Sequence, residues 1–122
     1  MITGVHAVIF TTEAEETREF FADVLGFSSV DAGGGWLIFA LPPAELAAHP
    51  TEAGGHHELH LMCDNLHATI AELKTKAELK GRGIELAGPI SEEPFGLQTA
   101  LRLPGGVELG LYEPRHPSPL SS

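Results

Sequence analysis

Residues 4–10, GVHAVIF, are a short apolar run rich in β-branched and aromatic side chains, and predict a strand. The next stretch changes period. Phe20, Phe21, Val24 and Leu25 form one stripe of a helix, Thr12 with Glu15 has the spacing of a capping box, and Gly26 ends the helix. Residues 27–43 predict two strands about the Gly33–Gly35 turn, stopped by Pro42 and Pro43, and residues 44–49 a weaker strand closed by Pro50. The order then recurs. Residues 57–63, HELHLMC, read as a strand, and Asp64 or Asn65 caps a helix carrying Leu66, Ile70, Leu73 and Ala77, which stops near Gly81 or Gly83. Strands follow over 83–90, 95–103 and 107–114, with a Pro104-Gly105-Gly106 turn before the last. The expected class is α+β, built from two tandem βαβββ modules at about 1–52 and 55–114, with 115–122 a flexible Pro/Ser-rich tail.

The two modules align in pattern. Glu58 falls 52 positions after His6, at the equivalent start of a strand. Strand side chains alternate between faces. In the 57–63 strand Leu59, Leu61 and Cys63 oppose Glu58, His60 and Met62. In the last strand Val107, Leu109 and Leu111 oppose Glu108, Gly110 and Tyr112. In the strand before it Leu97, Thr99, Leu101 and Leu103 oppose Gln98, Ala100 and Arg102. One face is aliphatic and suits helix packing. The other carries isolated His, Glu or Arg among small and aromatic groups, as the lining of a cleft would.

Bulk properties narrow the classes. At 122 residues, 43% apolar and 20% charged, the chain has the make-up of an ordinary folded domain. A net charge of −10 without clustered Lys or Arg disfavours nucleic acid and suits a metal or a cationic small molecule. The one cysteine, Cys63, allows no intramolecular disulfide. No apolar run reaches membrane-spanning length, and the first twenty residues lack a signal-peptide pattern, so a cytoplasmic location is expected.

Four predicted strands each offer one coordinating group: His6, His49, Glu58 and Glu108. Two imidazoles and two carboxylates suit a borderline divalent ion, Ni, Co, Zn, Mn or Fe(II), with positions left for water or substrate. Each has a plainer reading: His6 as a buried histidine bonded to backbone, His49 as a surface residue before Pro50, the two acids as members of a solvated face. A one-residue slip puts His57 in place of Glu58. His60 shares the face with Glu58, and Phe10 and Tyr112 are candidates for an apolar pocket wall. His67 and His116 read as surface residues.

In GVHAVIF, REFFADVLGF, HLMCDNLHATIAEL and LPGGVELGLYEP, in that order, the chain resembles the vicinal oxygen chelate superfamily of glyoxalase I, extradiol dioxygenases, and fosfomycin- and bleomycin-resistance proteins, from about Met1 to Pro114. The resemblance implies one glyoxalase-like domain over 1–114, a cup-shaped, mostly antiparallel sheet with helices outside, and metal ligands at His6, His49, Glu58 and Glu108. His and Glu have exchanged strands relative to glyoxalase I. It further implies a lyase or isomerase in which a divalent metal binds vicinal substrate oxygens, Glu108 or Glu58 shuttles a proton, and His60, Gln98, Arg102, Tyr112 and Phe10 contact the substrate. The alternative within the resemblance is a metal-free bleomycin-resistance type of binding protein. An extradiol dioxygenase is disfavoured by Glu58. All these readings imply a homodimer acting on a small molecule.

Overall fold

The structure, a computed structural model, describes residues 6–45, 47, 52, 56–117 and 119–120. Along these the elements run α1 (Ala14–Asp23), β1 (Ser29–Asp31), β2 (Leu37–Phe39), β3 (His60–Met62), α2 (Leu66–Leu79), β4 (Glu85–Leu86), β5 (Ser91–Glu93), β6 (Gly96–Arg102) and β7 (Glu108–Pro114). β1 and β2 form a separate antiparallel hairpin. The other five strands form one sheet in the order β3-β7-β6-β4, with β5 also on β6. Only the β3–β7 pairing is parallel.

The helices form for local reasons that the sequence shows only in part. Asn65 caps α2, its side-chain oxygen accepting from the Ala68 amide at 3.0 Å. A second anchor comes from the sheet: the Glu113 carboxylate accepts from the Leu66 amide at 2.9 Å, placing negative charge at the helix N-terminus where the macrodipole favours it. α1 does not use the Thr12–Glu15 box. Its cap is Glu13, without a side-chain capping bond, and the turn is held instead by Thr11 Oγ1 accepting from the Glu13 amide at 3.2 Å and Thr17 Oγ1 donating to the Glu13 carbonyl at 2.7 Å. The Thr11 and Thr17 hydroxyls also lie 3.2 Å from the Pro104 carbonyl, so the helix start is tied to the β6–β7 turn.

The core lies on one side of the large sheet. Phe20 and Val24 of α1, and Leu66, Ile70, Leu73 and Ala77 of α2, meet Leu101, Leu103, Leu109 and Leu111 of the β6–β7 arm. This is the aliphatic face that alternation assigns to helix packing, with both helices on that side. Module one differs from the sequence expectation. Residues 6–10 lie in neither helix nor strand, with Val8 and Phe10 exposed, because a ladder needs a neighbouring strand and they pair with none among the described residues. Glu45 and Ala47 also stand outside any strand, and the rest of the predicted 44–49 strand, with Pro50, falls mainly outside the described residues. In module two the predicted 83–90 strand is only the two-residue β4. A further strand, β5, forms from the polar Ser91–Glu93 by hairpin pairing with β6.

Replacing Leu111 with Ala removes a fully buried side chain from the junction of β7 and the helices. The expected loss is about 2–5 kcal/mol of unfolding free energy, read as a lower urea midpoint at unchanged slope.

Candidate functional site

The face of the sheet opposite the helices is laid out in rows by its registers. His60 stands beside Gly110, which stands beside Ala100. Met62 stands beside Tyr112, which stands beside Gln98. Glu108 stands beside Arg102. The middle row has only small residues on β7 and β6, Gly110 and Ala100, between Tyr112 and Gln98 on one side and Glu108 and Arg102 on the other, and the His60 ring lies over Gly110. A Cβ on Gly110 would collide with the His60 imidazole, so glycine is required there for the ring to lie across β7. Glu58 lies two residues before β3, outside the strand, and reaches this face through its contact with His60.

An aromatic cluster stands at the Tyr112 end. His60 approaches Tyr112 edge-on, with ring centroids 5.9 Å apart and planes at 87°. Phe95 does so at 6.4 Å and 76°. His116 lies nearly parallel to it, at 6.0 Å and 26°. Carboxylates fringe the rings. Glu58 Oε2 lies 2.9 Å from His60 Nε2, and the Tyr112 hydroxyl donates to Glu45 Oε1 at 3.1 Å. His116 Nε2 is 3.4 Å from the same hydroxyl, while its Nδ1 lies 2.8 Å from the Pro117 carbonyl. A carbonyl only accepts, so Nδ1 carries the hydrogen. Nε2 then competes with Glu45 for the single phenolic proton, and the shorter contact goes to Glu45.

Of the residues the sequence singles out, His60, Tyr112, Gln98, Arg102, Glu58 and Glu108 share this face. Arg102 leans outward, its Nε 3.6 Å from Glu85 Oε1. His6 is exposed on the segment before α1, and Phe10, 87% exposed, sits beside the β6–β7 turn with Thr11, Gly105 and Val107. His49 lies outside the described residues. Among the described residues no three His, Cys, Asp or Glu side chains converge as a metal site. The described part of the proposed donor set thus does not by itself fit a metal ion. Phe95, His116 and Glu45 join the site unforeseen. The signal for His116 was present: Glu108, Gly110, Tyr112, Pro114 and His116 continue one period-two series beyond the strand end.

Burial pushes the Tyr112 hydroxyl above its ordinary value, and Glu45 raises it further, both by accepting its proton and by repelling the phenolate. Cys63, on the opposite face, is raised chiefly by burial, with Glu113 and Asp64 adding to this and a hydrogen bond with Thr69 opposing it, so it stays a neutral thiol at neutral pH.

No protein-family model matches the chain. No curated protein matches its sequence. Solved structures do. An antibiotic binding protein, TnmS3, from Streptomyces sp. CB03234 is 26% identical, with a TM-score of 0.61 over 93% of this chain and 97% of that one. A glyoxalase/bleomycin resistance protein/dioxygenase superfamily member from Sphaerobacter thermophilus DSM 20745 is 21% identical, with a TM-score of 0.61 over 92% and 98%. The fold is that of the glyoxalase/bleomycin resistance protein/dioxygenase superfamily. A lactoylglutathione lyase from Agrobacterium tumefaciens shares this superfamily fold at 17% identity, with a TM-score of 0.58 over 91% and 92%. Among the described residues no helix is long and apolar enough to cross a membrane.

Tyr112 is the only tyrosine, so its ionisation can be followed by ultraviolet absorbance. Glu45→Gln should lower its titration midpoint toward the ordinary tyrosine value. The folded value lies above the unfolded one, so the stabilisation is complete below the unfolded value of 10.0 and fades as the pH rises through the folded value. The variant should lose less stability than the parent across that alkaline window.

Proposed function

We propose that the chain is a small-molecule binding protein that takes up a planar aromatic cation on the β3–β7–β6 face. The observation that carries the reading is the Tyr112 cluster. Three rings surround one phenol, the His60 ring lying over Gly110 and the Glu45 and Glu58 carboxylates standing at the edge. Ring edges and faces supply stacking and cation–π attraction. The net charge of −10 draws a cation toward the protein at long range. The likeness to an antibiotic binding protein supports the same reading. His60, Gln98, Arg102 and Tyr112 are then ligand contacts, and Glu58 orients His60.

Proflavine, a flat cationic dye with its own fluorescence, is a direct probe. Saturable binding that weakens with added salt is expected, and Tyr112→Leu should reduce affinity about tenfold. Binding unaffected by Tyr112→Leu would overturn this placement.

A second reading has its own observation. Glu108 opens β7 and Glu58 stands two residues before β3, against His60; these two carboxylates with His6 and His49 would hold a divalent ion, in a lyase or isomerase where Glu108 or Glu58 moves a proton. Elemental analysis decides it. About one ion per chain, lost in His6→Ala and Glu108→Ala, supports this reading. No uptake of Ni, Co, Zn, Mn or Fe(II) removes it.

We also propose a homodimer in the cytoplasm. Val8, Phe10, Val30 and Trp36 are exposed along the N-terminal half, and β3 ends the large sheet with one edge unpaired among the described residues. Sedimentation showing a monomer at micromolar concentration would overturn the dimer.

A further inference from the structure

His116 stands in the one parallel stacking position on Tyr112 that the chain fills. His60 and Phe95 both meet that ring edge-on. The imidazole is not held there by chance of sequence proximity alone. The segment after β7 is fastened next to it by two long-range contacts, the Arg115 amide donating to the Phe95 carbonyl at 2.8 Å and the Arg115 guanidinium reaching Glu92 Oε1 at 3.1 Å. Gly96, opposite Pro114, makes this close course possible. A Cβ there would run into the Glu113 carbonyl and crowd the Arg115 amide. The fastening groups belong to β5 and the β5–β6 turn, so the strap crosses from β7 to the edge of the face that carries the rings.

From this geometry we infer that the segment 115–117 is a displaceable strap, and that His116 is its plug, occupying the stacking place on Tyr112 until a planar ligand takes it. The inference rests on the binding function proposed above. Both fastening points are exposed, and the plug is a single ring contact, its Nε2 3.4 Å from a phenol whose proton goes to Glu45, so the closed state is favoured only modestly. Apparent affinity is reduced by the fraction of molecules with the plug seated. Pro117, which accepts from His116 Nδ1, braces the ring from its own backbone and leaves with it.

The test combines a readout that needs no ligand with one that does. In the free protein, NMR should show the His116 ring protons displaced by the Tyr112 ring current, assigned by their absence in His116→Ala, with the displacement lost in Tyr112→Leu. Saturating proflavine should return them to the position of an unstacked imidazole. His116→Ala should bind proflavine about 2- to 10-fold more tightly than the parent. His116→Phe, which keeps a stacking ring, should bind at or below the parent's affinity. No ring-current displacement in the free protein overturns the plug, as does displacement that persists at saturation. Equal or weaker binding by His116→Ala overturns it too, showing that His116 is a wall of the site instead. Failure of both the parent and His116→Ala to bind overturns the ligand-face reading itself, and the strap as a device of that site with it.

Discussion

The register of β7 is the constraint on which the rest depends. This strand is hydrogen-bonded on both sides, parallel to β3 and antiparallel to β6. Leu109 and Leu111 are buried against the helices, and period-two alternation then fixes Gly110 and Tyr112 on the other face. A slip by one residue would bring Gly110 and Tyr112 under α2 and push both leucines into solvent. The apolar energy that builds the core is therefore also what holds the ring cluster in place. Glu113 couples the two further, since the strand that presents Tyr112 also anchors the start of α2.

What the sequence revealed follows the same division. β6, β7 and α2 are legible because each buries one regular face: Leu101 and Leu103, Leu109 and Leu111, and Leu66, Ile70, Leu73 and Ala77 lie where their periods put them. Module one was less legible. GVHAVIF has strand composition, but a strand is made by its neighbour, and composition does not say whether one is within reach. β5 was missed for the converse reason. Ser91–Glu93 has poor strand propensity and is paired only because the turn after it returns the chain onto β6. The α1 cap was misread because Thr12 and Glu15 fit a spacing rule, while the Pro104 carbonyl, distant in sequence, draws Thr11 and Thr17 into a different arrangement.

The site was legible to the same degree. Alternation put Glu58, His60, Glu108, Gly110, Tyr112, Gln98 and Arg102 on one face; the registers place all but Glu58 there, and Glu58 stands before β3 against His60. Their grouping within the face was not legible, because it depends on which strands are neighbours. The parallel β3–β7 pairing, joining residues fifty positions apart, sets His60 over Gly110 and so brings an imidazole to Tyr112. Phe95 and Glu45 arrive from a turn and a loop, where side-chain direction follows no period, while His116 continues the alternation of β7 two residues past its end.

The acidity of the chain takes on a local meaning at this face. Most of its cations are already committed: Arg82 to Glu19 and Asp23, Arg115 to Glu92, Lys76 to Glu72, Arg102 to Glu85. Such exposed pairs add little stability, but they neutralise the positive charge nearest the sheet. Around Tyr112 the groups left to act are aromatic and imidazole rings and two carboxylates, one held on His60 and one on the phenol itself. A cation arriving there meets the negative faces of the rings and an anionic fringe together, and ring quadrupole and carboxylate attract it in the same sense. An anion meets the reverse. Selection by charge and by ring stacking thus comes from one arrangement, the rings gathered about Tyr112 with their carboxylate fringe.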